Sequence, residues 1–236
     1  MGLNAKSLHY LHELFLIQGI TFPTNLKMLE LGNMLLEQKG PINQIIERYG
    51  TTDKTAKVYF ESLGFDHTSI DINGANGSLQ LDLREPLPKE LYNKFDVLTN
   101  FGTTEHIIDN QYQVFKNFYD AAAPGALMVH QVPFTTFGHA YWAYRESFFE
   151  NLAINCKCRI IDLRIGWLQY RHPGPWYDPI RKKRYIYVGL VKETDMKFMS
   201  EKQWNTQKPL FDGKGYLKCR KEQYNNWIED NKKGNK

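Results

Sequence analysis

Carboxylate, amide and glycine residues follow several short apolar runs in this chain, and they are the residues best suited to chemistry. The first run carries Glu30 and Gly32, and later runs end at Asp71, Asp82 and Asn100. A glycine at a strand end lets a ligand approach the backbone where a Cβ would collide. Because ligands of open α/β sheets bind outside the carboxyl ends of the strands, this spacing predicts a nucleotide-like site there.

Several other kinds of site are disfavoured by missing motifs. The first run lacks the second and third glycines of a dinucleotide fingerprint and the Gly-Lys-Ser/Thr of a phosphate loop, which disfavours an NAD-dependent oxidoreductase. No histidine pair has the i, i+4 helical spacing of a zinc site, so we expect no metal. The three cysteines, Cys156, Cys158 and Cys219, predict reduced thiols rather than a disulfide framework.

Length and charge set the broad class of the protein. A chain of 236 residues is long enough for one α/β domain with a substantial core. The net charge of +4 is concentrated in residues 181–184 and in the tail after residue 213. A basic cluster can contact phosphates or can be a solvated loop, and both interpretations stay open. Because no apolar run could span a bilayer and no secretory signal is visible, we expect a cytoplasmic protein.

Hydrophobic periodicity predicts an alternation of helices and strands. Helices are predicted over residues 4–18, 34–49, 53–63, 109–123 and 145–155, and strands over 67–72, 95–100, 126–132, 157–168 and 184–192. Residues 73–78 are too few for a parallel crossover, which needs about a dozen residues. The segment 79–83 is therefore predicted either to pair antiparallel or to be an extended loop.

Three regions of the chain are distinguished by composition and pattern. We expect an N-terminal helical extension over residues 1–25, a main domain over 26–192 and a polar appendage over 193–236 that is anchored by Trp204 and Trp227. The loop 169–183 is rich in proline, glycine and aromatic residues, and its aromatics suggest a homodimer contact.

Over residues 27–133 the chain resembles the class I S-adenosylmethionine-dependent methyltransferases. The resemblance rests on ordered motifs: Leu-Glu-Leu-Gly at 29–32, Asp71, Leu-Asp-Leu at 81–83, Thr-Glu-His at 104–106 and Ala-Pro-Gly-Ala-Leu-Met at 123–128. Asn33 and Ala126 depart from it, because glycine is usual at both positions. The resemblance implies an α/β, Rossmann-like three-layer sandwich with a mostly parallel seven-stranded sheet and an antiparallel last strand.

The resemblance also implies S-adenosylmethionine as the cofactor and assigns residues to it. Asp71 would accept hydrogen bonds from the ribose diol, and Glu30 would accept them from the methionine ammonium. Asp71 could instead begin a turn, and Asp82 could pair with Arg84 rather than contact the adenine. The full set of cofactor residues is Glu30, Gly32, Asp71, Asp82, Leu83, Asn100 and Phe101.

Catalysis and acceptor binding are assigned to the residues that follow the later strands. His106 and His139 are the candidate bases, because histidine titrates near neutrality, and His130 is a further candidate. Tyr141, Trp142 and Arg145 are the candidate acceptor-binding residues. They combine polar groups with an apolar wall, although they could equally be the packing of a long loop.

The predicted function is methyl transfer from S-adenosylmethionine to a small-molecule or sugar-linked acceptor. A cofactor-binding scaffold without catalysis is the alternative suggested by the departure at Asn33. A nucleic-acid methyltransferase is less favoured. Residues 99–102 read Thr-Asn-Phe-Gly rather than the Asn/Asp-Pro-Pro-aromatic motif of many base-amine methyltransferases.

Overall fold

The structure, a computed structural model, describes residues 2–36, 54–134, 140–167 and 184–211. The helices are α1 (Ala5–Ile17), α2 (Ala56–Ser62), α3 (Gln111–Ala121), α4 (Glu146–Cys156) and α5 (Glu201–Asn205). The strands are β1 (Gly2–Leu3), β2 (Lys27–Leu31), β3 (Leu35–Leu36), β4 (Asp66–Ile70), β5 (Phe95–Phe101), β6 (Ala122–Pro133), β7 (Trp142–Ala143), β8 (Cys158–Trp167), β9 (Arg184–Lys192) and β10 (Leu210–Phe211). No helix in these ranges is long and apolar enough to cross a membrane.

Six strands form the central sheet in the order β4-β2-β5-β6-β9-β8. The β4–β2, β2–β5 and β5–β6 pairs are parallel, whereas β9 runs antiparallel to both β6 and β8. The predicted α/β class and antiparallel last strand are confirmed.

The prediction of a seventh strand is wrong for the described chain, because residues 79–83 add only one isolated parallel bridge. In that bridge Leu79 pairs with Ile70. After β4 the chain forms a short loop that brings Leu79 beside the end of the strand, where Asp71 N donates to Leu79 O. The short connection leaves no room for a crossover, and the segment continues as an extended loop.

Side chains that alternate along the strands build one core on each face of the sheet. Met28 and Val97 pack in the core that includes α1 and α2, whereas Leu29 and Leu98 pack in the core that includes α3 and α4. This alternation follows from the two-residue period of a strand. Helices on both faces give the three-layer arrangement that was predicted.

Helix α1 lies within one residue of its predicted bounds. The Asn4 side chain caps the helix by accepting hydrogen bonds from the backbone N–H groups of Lys6 and Ser7. The apolar side of α1 packs closely on β9, since a Cβ added at Gly189 would lie 2.8 Å from a methyl carbon of Leu14. A larger residue at position 189 would push the helix away from the sheet.

The helix predicted over residues 34–49 does not begin where it was expected. Leu35 and Leu36 form β3, which pairs in parallel with Gly2 and Leu3 of β1. Leu3 is fully buried, so the N-terminal strand is part of a packed structure beside the end of β2. The remainder of that predicted helix, the loop 169–183, the basic cluster at 181–183 and Trp227 lie outside the described residues.

Trp204 of α5 anchors the first part of the C-terminal region, as predicted. Its side chain is buried and its ring contacts those of Tyr112, Phe115 and Phe148 on α3 and α4. A capping box formed by Ser200 and Gln203 begins the helix. The division of the chain into three regions stays a prediction.

A buried lysine lies at the amino ends of the parallel strands. Lys192 Nζ donates hydrogen bonds to Asn93 Oδ1 at 2.8 Å, Ala122 O at 2.8 Å and Tyr119 O at 3.2 Å. The ammonium also lies 4.3 Å from the centre of the Tyr119 ring. Burial lowers the pKa of Lys192. The three acceptors supply the partners that a buried cation requires.

Candidate cofactor site

Gly32 lies at the carboxyl end of β2, where two turns touch. Its φ of +82° favours glycine, and its N–H donates to Ile70 O at 2.8 Å. A Cβ at this position would lie 2.5 Å from Thr103 Oγ1, and that hydroxyl donates to Leu31 O at 2.6 Å. The turn after β5 is therefore fixed against the turn after β2, and only glycine fits between them.

Asp71, directly after β4, joins the neighbouring turns. Its Oδ2 accepts a hydrogen bond from the Asn33 backbone N–H, and its Oδ1 accepts one from the Asn73 N–H, both at 3.1 Å. The Asn33 side chain donates to Ala75 O at 2.7 Å and links the same two turns. Asp71 therefore stabilises the turn with two accepted hydrogen bonds. Because a carboxylate can accept about four hydrogen bonds, it keeps acceptor capacity for a ligand.

The turns after β2 and β4, which contain Gly32 and Asp71, form what we call the cofactor corner. Glu30 is buried beside this corner, with 1% of its surface exposed. Its Oε2 accepts a hydrogen bond from Met34 N at 3.3 Å and lies 3.6 Å from His67 Nε2. Its Oε1 has no hydrogen-bond partner in the described ranges. Burial raises the pKa of Glu30, and His67 and the Met34 N–H oppose that rise. An acceptor oxygen at the cofactor corner is thus left for a donor.

Glu105, in the turn after β5, is a second buried acid. Neither of its carboxyl oxygens has a hydrogen-bond partner among the residues that the structure describes. Burial raises its pKa to about 8. His106 Nε2 lies 3.9 Å from Glu105 Oε1, and the His106 side chain is 37% exposed. Glu105 was not among the predicted site residues, although an acid beside a histidine at the end of a buried strand was a visible signal.

Asn100 is fully buried and shapes the turn that carries these residues. Its Nδ2 donates to Thr104 Oγ1 at 2.9 Å and to His130 Nδ1 at 3.1 Å. Its Oδ1 accepts from the backbone N–H groups of Thr103 and Thr104. Burial lowers the pKa of His130 to about 3, so its imidazole is neutral, and aromatic rings surround it: Phe115, Phe118 and Phe149. His130 therefore lies in the core.

Asp82 forms the ion pair that the sequence had left open as an alternative. Arg84 Nη2 donates to Asp82 Oδ2 at 2.6 Å, and Arg84 Nε donates to both carboxyl oxygens. Leu83 is buried, and its carbonyl accepts a hydrogen bond from Asn117 Nδ2. Phe101 packs into the core on the α1 and α2 face of the sheet. The roles of these three predicted residues towards a cofactor stay predictions.

Two of the three candidate acceptor residues are tied to the turn that follows β5, and the third contacts the residue after the end of β6. Tyr141 N donates to Glu105 O at 3.0 Å, and Trp142 Nε1 donates to Ile107 O at 2.8 Å. The Arg145 guanidinium lies 4.2 Å from the centre of a phenyl ring and donates to the carbonyl oxygen of the same residue, Phe134, at 2.9 Å. His139, the other predicted base, lies outside the described residues.

A cavity of about 350 Å³ lies beside this turn. Its lining combines aromatic rings with charged groups, and includes Asp109, Tyr112, Trp142, Glu201, Trp204 and Lys208. Its volume falls in the range of small-molecule sites. Within the described ranges no group of three or more histidine, cysteine or acidic side chains is arranged to hold a metal ion.

Comparisons with known proteins relate this fold to a class of enzymes. No family model matches the sequence, and no curated protein matches it. Among solved structures, a Burkholderia thailandensis 1,6-didemethyltoxoflavin-N1-methyltransferase, bound to 1,6-didemethyltoxoflavin and S-adenosylhomocysteine, matches with a TM-score of 0.51 and 13% identity over 79% of this chain and 77% of that chain.

Two further solved structures match over nearly their whole length. A protein assigned to the S-adenosylmethionine-dependent methyltransferases of Listeria monocytogenes has a TM-score of 0.51 and 12% identity, over 80% of this chain and 99% of that chain. A protein assigned as a methyltransferase of Bacillus halodurans has a TM-score of 0.51 and 10% identity, over 78% of this chain and 99% of that chain. The chain has the Rossmann-like fold of the class I S-adenosylmethionine-dependent methyltransferases.

Proposed function

We propose that this chain is an S-adenosylmethionine-dependent methyltransferase that acts on a small-molecule acceptor. The observation that carries the proposal is the position of Asp71, whose carboxylate joins the turns after β2 and β4 on a class I fold. This is the edge of the sheet where ligands of open α/β sheets bind. A cytoplasmic location and a homodimer stay predictions.

The chemistry of the corner fits the groups that the cofactor presents. The unused acceptor capacity of Asp71 suits the two hydroxyl groups of a ribose. Glu30 Oε1, buried and without a partner in the described part of the chain, suits an ammonium group. Gly32 lets Thr103 hold the turn after β5 against the turn after β2. S-adenosylmethionine supplies a methyl group already activated on a sulfonium, so the protein mainly binds and orients the two reactants.

The two departures from the usual glycine motif are compatible with binding. Neither Asn33 nor Ala126 is among the residues with positive φ, so the backbone at these positions does not require glycine. The Asn33 side chain instead holds the turn at Ala75. The departure at Asn33 is therefore a weaker argument for the alternative function, a scaffold without catalysis.

A small acceptor would fit the volume of the cavity of about 350 Å³ beside the turn after β5, whose lining includes Trp142 and none of the proposed cofactor residues. Trp142 lines it, and Tyr141 and Arg145 lie in the same segment, so we retain these three as the proposed acceptor-binding residues. His106 is the proposed base, together with His139, for an acceptor that must lose a proton. The partly exposed imidazole of His106 is open to exchange that proton with water.

Calorimetric titration with S-adenosylhomocysteine tests the cofactor assignment. We expect Asp71→Asn to weaken binding roughly 5- to 150-fold, because one charge-assisted hydrogen bond to the ribose is lost. Asp66→Ala, at the exposed opposite end of β4, is the matched control and keeps the affinity of the unaltered chain. Failure of the unaltered chain to bind would overturn the proposal, and unchanged binding by the Asp71 variant would remove that residue from the site.

The scaffold alternative predicts binding without turnover. Incubation with radiolabelled S-adenosylmethionine and a panel of small and sugar-linked acceptors distinguishes the two functions. One methylated product excludes the scaffold, whereas tight binding with no product from any acceptor favours it.

A further inference from the structure

His67 and Glu30 form a buried pair behind the cofactor corner. They lie on the neighbouring strands β4 and β2, with the side chains 0% and 2% exposed and His67 Nε2 3.6 Å from Glu30 Oε2. The imidazole stacks on Phe60 of α2, with ring centres 5.6 Å apart and planes 12° apart. Neither ring nitrogen has a hydrogen-bond partner among the described residues. The histidine therefore has Glu30 as its polar neighbour.

The pair cannot hold an isolated charge at low cost. An unpaired carboxylate or imidazolium in the interior is strongly disfavoured, and an adjacent group of opposite charge character offsets part of that cost. The same Glu30 oxygen that faces His67 accepts the Met34 N–H and so orders the backbone after Gly32. The state of the pair is thus coupled to the shape of the corner.

We propose that His67 is a positioning residue for the cofactor: lying against Glu30 Oε2, it favours the carboxylate form of Glu30, which accepts the Met34 N–H and presents Oε1 to the methionine ammonium. This inference rests on the proposed function. His67 touches no part of the ligand and acts through Glu30 alone.

A pH dependence of affinity follows from the groups around Glu30. His67 lowers the pKa of Glu30 against the effect of burial, and Asp71 raises it. The β5 residue paired with Glu30 is Thr99, and the α2 residue packed on His67 is Phe60, neither of which titrates. Affinity falls as the pH drops and Glu30 gains a proton. Removing His67 raises the pKa of Glu30, so this loss moves to higher pH.

The test is the dissociation constant of S-adenosylhomocysteine, measured by calorimetry between pH 6 and 8.5. His67→Phe keeps the stacking on Phe60 and should move the midpoint of the affinity loss up by about one pH unit, with roughly fivefold weaker binding at the wild-type midpoint. Glu30→Gln should bind weakly at every pH. The double variant should bind no more weakly than Glu30→Gln, because His67 acts through that carboxylate. His9→Phe, at an exposed histidine on α1, is the matched control.

Each result decides between the two proposals. A His67→Phe profile that superimposes on that of the unaltered chain overturns the role of His67 and leaves the proposed function standing. Absence of binding by the unaltered chain overturns both. If His67→Phe does not give a folded far-UV spectrum, His67→Gln takes its place, and additive losses in the double variant contradict the inference.

Discussion

Two buried glutamates, each beside a histidine, lie on either side of the cofactor corner, and their surroundings differ. Glu30 and His67 come from neighbouring strands and are both sealed from water, with 3.6 Å between Glu30 Oε2 and His67 Nε2. Glu105 and His106 are consecutive in one turn, 3.9 Å apart, but the His106 side chain is 37% exposed.

The two pairs differ in the solvent access of the histidine more than in its distance from the carboxyl group. His67 shares the burial of Glu30 and opposes the rise that burial causes in the pKa of Glu30. His106 is solvated and screened. Burial therefore dominates at Glu105 and raises its pKa to about 8. One glutamate is coupled to a partner, and the other is a neutral acid near pH 7.

Glu105→Gln gives the largest expected effect on stability. Folded Glu105 keeps its proton up to about pH 8, whereas an ordinary glutamate loses it near 4.5, so ionisation favours the unfolded chain increasingly across that window. The neutral amide removes this penalty. We expect no gain below about pH 4.5 and about 2–4 kcal/mol of added stability at pH 8, measured by urea unfolding.

Two controls accompany that measurement. Glu61→Gln, at an exposed carboxylate on α2, should show no such slope with pH. Glu30→Gln should gain less than Glu105→Gln, because His67 already offsets part of the burial. Equal gains at Glu30 and Glu105 would contradict the distinction between the two pairs.

Gly32→Ala tests the contact between the turn after β2 and the turn after β5. We expect a loss of about 2–3 kcal/mol in the free energy of unfolding. The new Cβ meets Thr103 Oγ1 at 2.5 Å and also sits at a φ of +82°. Gly125→Ala is the matched control, because its φ is +86° with nothing within 4 Å, and it should lose only about 1 kcal/mol. Equal losses in urea unfolding would show that the contact with Thr103 carries no energy.

The smallest expected effect separates the two histidines. His67→Phe raises the pKa of Glu30, so stability should fall more steeply with rising pH and reach a deficit of about 1 kcal/mol above the pH at which Glu30 ionises in the folded variant. His106→Phe should change stability by no more than about 0.5 kcal/mol, since the side chain is partly solvated. Thermal unfolding at pH 5 and pH 8 checks both, and a pH-independent His67→Phe deficit would count against the coupling.

Elements with a strong local pattern were predictable from the sequence. The predicted strand over residues 184–192 agrees with β9 in both bounds, and α1 differs from its prediction by one residue at each end. The helix predicted from residue 34 begins instead with β3, because Leu35 and Leu36 pair with the N-terminal strand. Such pairing joins segments distant in sequence, and a local periodicity does not reveal it.

The positions of Gly32 and Asp71 at the ends of strands were predictable, and their roles towards a cofactor stay predictions. Gly32 and Asp71 could be recognised because backbone shape and strand ends dictate their residue types. The pairing of Glu30 with His67 could not be recognised from the sequence. The side chains that meet across two strands depend on the register of the strands, and a shift of one residue moves every side chain to the opposite face. The pairing of Asp82 with Arg84 was an open alternative, since both roles suit the same carboxylate.

Lys192 offers a reporter of motion at the far end of the sheet. The residue is 1% exposed and its amine is hydrogen-bonded to three oxygens, so an acylating reagent reaches the amine when the end of β9 separates from the amino end of β6. Its labelling rate relative to exposed lysines therefore measures the free energy of that opening. A change in this rate on adding S-adenosylhomocysteine would show that the sheet transmits ligand binding from one end to the other.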